Sequence, residues 1–474
     1  MWLWWNKTET QLVLFVTAVK GGHMCGIFGA FNCDHAAHVV FLGLHGIQHR
    51  AKEFAGIVSS DGTNLFRRTG PGIVQDVFRD PGDLERLHGR VAFGHIRYAT
   101  TEDDPKLDNT QPIMGSFESM EMAIAHNGNL VNHAELRSEL AAHGRFKTSL
   151  DTEVILRLFC LSSAKDVFAR VFDAVRCLRG SYSLIFLWND MMVAVRDPWG
   201  NRPLALGRRG ASWFLSSETI SFDTLGIAAV REVAPGEILV ISKQGISSRY
   251  FDEERLSDQP IPHERAQCIF ELLYYANPGS KVFGQHVWEF RIRAGRRLCV
   301  LCPSLGDAVV GVPDSALFHA DGYAAAWEMV PVRGLLRSHY VGRTFVEGVQ
   351  KLRESAVARK FVPVFALLWG RAVTLIEDSI VRLTTLPEVV RLVRRGGARE
   401  VHARVATPPI THPCRYGIDT PDPRELAAAN HSVEEIRVLA GVDSLAFMPM
   451  EGLKGLVPNP RDYCFACMDG NYRI

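Results

Sequence analysis

Apolar positions along this chain fall into two textures. Over residues 25–250 they come as short runs, VAFGHIRYAT, MEMAIAHNGNLV, YSLIFLW, MMVAVRD, SWFLSSE and GEILVI, each broken by glycine or a polar turn. Runs this short, rich in β-branched and aromatic residues, predict strands. Helix-length stretches interrupt them at 39–47 and 152–161. The pattern predicts an α+β domain in which two sheets are covered by helices. Residues 251–267 are charged and proline-bearing and read as a linker. From 268 to 474 the texture changes to strand and helix in alternation, through DAVVGVPDS, GYAAAW, RAVTLIEDS, TTLPEVVRLVRRGGA and EVHARVATPP. That alternation predicts βαβ units and an α/β domain with a parallel sheet.

Composition narrows the function classes. A chain of 474 residues is too long for one ordinary core, in keeping with two domains. Its 53 basic and 52 acidic residues nearly cancel, which argues against nucleic acid or an anionic membrane as partner, so any anion is bound at a local site. No apolar run approaches the roughly twenty residues that span a bilayer. Ten cysteines are too sparse for a disulfide scaffold of the secreted kind and predict a reducing compartment. Residues 1–24 hold a short apolar run at 12–19 but neither a basic leading region nor a small-x-small cleavage site. They read as a removable leader, an early-assigned start or an expression remnant.

Cys25 stands in M-C-G-I-F-G. If cleavage exposes it, its own α-amine, with an unperturbed pKa near roughly 8, can act as general base for its thiol. Downstream come G-H-I-R-Y at 94–98, N-G-N-L at 127–130 and D-T-E at 151–153. In these motifs the chain resembles the amidophosphoribosyltransferase family, cluster-containing type, whose glutaminase half is a class II glutamine amidotransferase with an N-terminal-nucleophile hydrolase fold. The likeness runs nearly from Cys25 to Tyr472. It implies Cys25 as nucleophile, the Asn127 side chain and the Gly128 amide as oxyanion donors, Arg97 for the glutamine carboxylate and Asp151 for its ammonium. Hydrolysis of a carboxamide needs such preorganised donors, and a guanidinium fork suits a carboxylate. Where the family has glycine and glutamine, this chain has Ala51 and Lys52; alanine there requires a negative φ.

The second constellation is T-L-I-E-D-S-I-V-R-L-T-T at 374–385. An apolar strand delivers Glu377 and Asp378 to its carboxyl end, where α/β sheets bind ligands, and the following amides and hydroxyls enter a helix in a manner suited to phosphate. The segment resembles the diphosphoribose signature of phosphoribosyltransferases. That resemblance implies Glu377 and Asp378 at the ribose hydroxyls, with Ser379, Arg382, Thr384 and Thr385 completing the phosphate loop. It also implies Asp314 and Ser315 in V-P-D-S on the pyrophosphate side, and a lid at 340–345 whose Arg343 meets the diphosphate. Mg²⁺ is expected near Ser315, Glu377 and Asp378. The family has glycine where this chain has Ala316 and Leu383. If the loop needs positive φ at 383, leucine costs about 1–2 kcal/mol there.

The third constellation is Cys464-x-x-Cys467, half a metal site by itself. By spacing alone it could join Cys299-x-x-Cys302 in a four-cysteine zinc site. The resemblance selects instead Cys268, Cys414, Cys464 and Cys467 as ligands of a structural 4Fe-4S cluster, and leaves Cys299 and Cys302 as buried or incidental thiols. The reaction implied is glutamine plus phosphoribosyl diphosphate to 5-phosphoribosylamine, glutamate and pyrophosphate, the opening step of purine biosynthesis, with ammonia passing inside the protein. A homo-oligomer inhibited by purine nucleotides is implied too. Two rival readings are a binding or regulatory homologue silenced at Leu383, and a class II amidotransferase serving another acceptor.

Overall fold

The computed structural model describes residues 24–98, 109–117, 120–188, 190–338, 360–418, 420 and 422–474. Two antiparallel seven-stranded sheets build the first half. One runs, in spatial order, Ala228–Glu232, Ala205–Arg209, Ser212–Ser216, Gly26–Phe31, Val91–Arg97, Phe54–Ser60 and Leu65–Pro71. The other runs Leu256–Ser257, Gly245–Phe251, Glu237–Ser242, Met191–Arg196, Gly180–Trp188, Met120–Leu130 and Ile113–Phe117.

Period-two alternation sorts the side chains between layers. Ile27, Phe93, Ile185, Leu187 and Leu239 meet between the sheets. Phe28, next to Ile27, and Ile96, three positions after Phe93, turn outward to Leu44 and Phe222. Leu44 lies in the helix Ala36–Gly46 and Phe222 in Ile220–Leu225. On the far side Leu184 and Phe186 pack with Ile155, Phe159 and Val171, which come from the helices Asp151–Leu161 and Val167–Val175. The layers are therefore helix, sheet, sheet, helix, as the short runs predict. The second sheet continues past residue 250, because Leu256–Ser257 pairs with Gly245–Phe251 inside the stretch read as a linker.

The second half is built on a four-stranded parallel sheet in the order Ala308–Gly311, Ala372–Glu377, Glu400–Val405, Ser444–Phe447. Ala308–Gly311 and Ala372–Glu377 are buried at every position, as expected where helices cover both faces. Two of those helices, Val287–Leu301 and Leu317–Ala326, approach closely at glycines: a Cβ on Gly295 would fall 1.9 Å from the His319 carbonyl oxygen.

The halves are stitched together in sequence and in space. The Ala266 N–H donates to the Trp199 carbonyl at 2.8 Å and the Cys268 N–H to that of Asn201 at 3.1 Å. Gln267–Cys268 then pairs in parallel with Tyr463–Cys464 near the end of the chain. Among the described residues no helix is long and apolar enough to cross a membrane.

Candidate active sites

Cys25 directly precedes the strand Gly26–Phe31, whose register sets Gly26 opposite Ile96 and so brings Arg97 alongside it. The adjoining residue Met24 is buried, and its N–H donates to the Arg50 carbonyl at 3.0 Å. Burial pushes the Cys25 thiol up from its ordinary pKa; the Tyr98 N–H and the Arg97 charge oppose this, while Asp151 adds to it. Arg97 and Asp151 thus both lie within electrostatic reach of Cys25, although the three come from separate parts of the chain.

The oxyanion candidates Asn127 and Gly128 lie on Met120–Leu130 in the other sheet. A single buried hydroxyl joins this strand to that of Cys25. Ser217 Oγ accepts from the Ile27 N–H at 3.0 Å and from Asn127 Nδ2 at 3.4 Å. The Ser217 N–H returns a bond to the Ile27 carbonyl at 3.0 Å. Gly128 has φ 153° and stands so close to its neighbour strand that a Cβ would lie 2.0 Å from the Ser181 carbonyl oxygen. No larger residue fits there.

Asp151 is held by its own neighbourhood. Its Oδ2 accepts from the Leu130 N–H at 3.1 Å and its Oδ1 from His126 Nδ1 at 3.2 Å. His126 Nε2 points at the Ser181 carbonyl at 3.2 Å, so both ring nitrogens face acceptors and both carry protons. Burial opposes that charge, but Asp151 overrides it and raises the His126 pKa. Burial would likewise raise Asp151, yet His126 holds its carboxyl well below the usual range. His95, which donates Nε2–H to the His126 carbonyl at 3.1 Å, is driven by burial down to about 3 and is neutral.

Arg50 reaches from this centre into the second half. Its Nε donates to the Cys25 carbonyl at 2.9 Å. Nη1 donates to Glu218 Oε1 at 2.6 Å and to Glu271 Oε2 at 2.9 Å, and Nη2 to Glu271 Oε1 at 2.8 Å. All three side chains are fully buried. Glu218 is completed by the Asn277 N–H at 2.7 Å and the Ser280 hydroxyl at 2.9 Å. The adjacent Ala51 has φ −149°, so alanine is unstrained where the resembled family has glycine.

At the second centre the strand Ala372–Glu377 ends at the buried pair Glu377 and Asp378. Burial pushes Glu377 well above the carboxylate range, and the neighbouring Asp378 adds to it. Glu377 Oε2 has no hydrogen-bond partner among the described residues. Asp378 Oδ1 accepts from the Ser379 hydroxyl at 2.6 Å; burial raises its pKa, and the nearby Ser315 side chain opposes that rise. Ser315, Glu377 and Asp378 therefore converge, and two buried carboxyls with an open oxygen suit a hard divalent cation.

The loop beyond enters the helix Leu386–Arg395, with Thr384 exposed and Thr385 at the N-cap without a side-chain capping bond. Leu383 has φ 54°, so the chain does take the left-handed conformation here with a leucine. Ala316 has φ −93° and is unstrained. Arg382 donates Nε–H to Glu425 Oε2 at 2.6 Å, and Asp314 pairs with Arg337. Arg343 and the rest of 340–345 lie outside the described residues.

Cys268, Cys414, Cys464 and Cys467 line one cavity together with Arg202, Phe270, Tyr416 and Tyr472. Burial pushes Cys268 to about 11 and Cys464 to about 12, each raised further by its neighbouring thiols; Cys467 is shifted strongly the same way. Among the described residues no group of three His, Cys, Asp or Glu is placed to hold a metal ion. Four thiols spread around one cavity suit a larger inorganic body, with Arg202 available to offset thiolate charge. Cys302 is not among them; its Sγ–H donates to the Phe447 carbonyl at 3.3 Å.

Sequence reading singled out none of Ser217, His126, Glu271 and Arg202. The serines and acid of SWFLSSE at a strand end, and the histidine before N-G-N-L, are visible signals; what they bond to is not.

Comparison with known proteins bears on both centres. A family profile described as "Glutamine amidotransferase domain" matches residues 95–224. The chain is 44% identical to the chloroplastic amidophosphoribosyltransferase 2 of Arabidopsis thaliana over 456 residues, covering 95% of this chain and 79% of that protein. It is 39% identical to the amidophosphoribosyltransferase of Bacillus subtilis over 462 residues, covering 96% and 95%. The solved structure of the B. subtilis glutamine phosphoribosylpyrophosphate amidotransferase complexed with ADP and GMP superposes with a TM-score of 0.87 at 38% identity, covering 95% of this chain and 97% of that one.

Proposed function

This chain belongs to the amidophosphoribosyltransferase family, and from that premise we propose how its own residues divide the reaction. The reaction is the first step of purine biosynthesis: glutamine yields glutamate and ammonia, and ammonia displaces pyrophosphate from phosphoribosyl diphosphate to give 5-phosphoribosylamine. The chain is accordingly a glutamine amidotransferase and a pentosyltransferase. Relatives of that name match both halves, so a binding-only homologue or another acceptor is not favoured.

In this reading the residues through Met24 are removed and the freed α-amine of Cys25 takes the thiol proton. The thiolate attacks the glutamine carboxamide carbon. Asn127 Nδ2 and the Gly128 N–H donate to the oxyanion, the proton passes to the departing ammonia, and water hydrolyses the thioester to glutamate. Arg97 binds the glutamine carboxylate. Asp151, held by His126 and Leu130, keeps lone pairs for the ammonium. The observation that carries this half is Ser217, whose one hydroxyl accepts both from the strand of Cys25 and from Asn127.

In the transferase half Glu377 and Asp378 take the ribose hydroxyls. Ser379, Arg382, Thr384 and Thr385 take the 5′-phosphate, and Asp314, Ser315 and Arg343 the diphosphate. Mg²⁺ would neutralise the diphosphate beside Ser315, Glu377 and Asp378, a reading supported by the open Oε2 of Glu377. Ammonia crosses between the two centres inside the protein. The shared cavity of Cys268, Cys414, Cys464 and Cys467 supports a 4Fe-4S cluster, whose chemistry here is ligation of three distant segments, because neither half-reaction transfers an electron. Purine nucleotides inhibit, in keeping with the ADP and GMP named for the B. subtilis structure, and the working form is a homo-oligomer in a reducing cytoplasmic or stromal compartment.

Pyrophosphate release measured with glutamine and then with ammonia tests the assignment. Cys25→Ala is expected to abolish the first and spare the second, and mass analysis of active protein is expected to show Cys25 at the N-terminus. Glutamine-dependent turnover by a chain retaining Met24 would sink the amine as base. Absence of ammonia-dependent release from intact, iron-loaded protein would sink the transferase.

A further inference from the structure

The strand bearing the oxyanion donors is braced from the other half of the molecule. Residues 414–418 form no helix or strand, and their backbone lies against Gly128, Asn129 and Ser181. Asn129 Nδ2 donates to the Arg415 carbonyl at 2.9 Å. Ser181, which stands opposite Asn129 in the ladder, donates its hydroxyl to the Tyr416 carbonyl at 2.8 Å. Arg202 Nε donates to that same carbonyl at 3.1 Å and fixes it from behind. Gly417, at φ 102°, lies so near Gly128 that a Cβ on it would sit 3.1 Å from the Gly128 carbonyl carbon and oxygen. One loop therefore pins both strands of the ladder at the point where the Gly128 peptide must be held.

Gly128 cannot hold itself. It has no side chain to pack, and its φ of 153° is one that other residues rarely adopt. An oxyanion donor works only if its N–H is aimed before charge develops, within a few tenths of an ångström. The restraint must come from outside the strand, and the C-R-Y-G segment that follows Cys414 supplies it. We propose that Gly417 is a positioning residue for the glutaminase oxyanion hole, acting with the Arg415 and Tyr416 carbonyls, so that this hole is completed by the transferase half. The inference rests on the reading of Asn127 and Gly128 as oxyanion donors.

The test uses the full processed chain with its iron, as Gly417→Ala and, in case that variant folds poorly, Ser181→Ala. In Gly417→Ala, kcat for glutamine hydrolysis is expected to fall about tenfold to a hundredfold, the scale of a misplaced reacting group, with KM for glutamine nearly unchanged. Ammonia-dependent pyrophosphate release and iron content are expected to stay at the unsubstituted level, while amide hydrogen exchange in the peptide 124–131 accelerates. Ser181→Ala should move the same readouts in the same direction by less. Unchanged kcat and exchange in both variants overturn the proposal. So does loss of iron and ammonia-dependent transfer in step with glutaminase, which marks general disruption. If the unsubstituted chain hydrolyses no glutamine, it is the functional reading that fails, and the exchange of 124–131 still decides whether Gly417 braces the strand.

Discussion

Cys268 and Cys464 stand directly opposite each other in a two-residue parallel ladder, although they are 196 positions apart in sequence. The ladder is too short to be stable alone, since even an isolated two-stranded hairpin is marginal in water. What accompanies it is the cavity that these two thiols share with Cys414 and Cys467.

Ligation should therefore depend on this quartet and not on the other C-x-x-C pair. Cys268→Ser is expected to remove most of the bound iron and labile sulfide and the visible absorbance of the protein. Cys299→Ser and Cys302→Ser should leave all three in place, because the Cys302 thiol is turned to the Phe447 carbonyl. Equal loss of iron in both sets, assayed on anaerobically purified protein, would refute the assignment.

Leu383 gives a test in which the usual order of residues inverts. At its φ of 54° a β-carbon is strained by about 1–2 kcal/mol, whereas glycine is not. The leucine side chain also packs on the core, and that packing is lost in either substitution. Leu383→Gly is thus expected to be more stable than Leu383→Ala by about 1 kcal/mol in denaturant unfolding, despite the greater entropy of glycine in the unfolded chain. Leu383→Gly should also lower KM for phosphoribosyl diphosphate by freeing space beside the phosphate loop.

Arg50 sits between two buried carboxylates drawn from the two halves, Glu218 and Glu271. Replacing it by methionine leaves two buried negative charges facing each other, and a loss of about 3–5 kcal/mol is expected. Lysine should rescue only part of this, since one ammonium cannot reproduce bonds from Nε, Nη1 and Nη2 to three acceptors. Urea unfolding of the three proteins reads the order.

The His126–Asp151 pair sets a pH window. The raised pKa of His126 means that its stabilising charge is fully present below about 6.5 and is lost as pH rises through the folded value. Asp151 is depressed, so its contribution is present above about 3.9 and lost as pH falls through the folded value. Stability from this pair is greatest between those limits. On the alkaline side the unfolding midpoint should decline in the native chain and flatten in His126→Gln, measured from pH 6 to 9.

Much of this protein was determined by local sequence. The strands of VAFGHIRYAT and YSLIFLW, the helix that begins within TTLPE and the parallel sheet follow from apolar period and turn residues, because neighbours within a few positions dictate those conformations. Glu377 and Asp378 at a strand end, and Cys25 before one, are legible for the same reason. Tertiary structure alone decided which distant groups meet. Ser217 against Asn127, Arg50 against Glu271 and Gly417 against Gly128 join residues 90, 221 and 289 positions apart. No spacing rule encodes such pairs, since they arise from how whole sheets and halves pack. The same holds for Leu383, whose identity is plain in sequence but whose left-handed backbone is imposed by the strand and helix that it must connect.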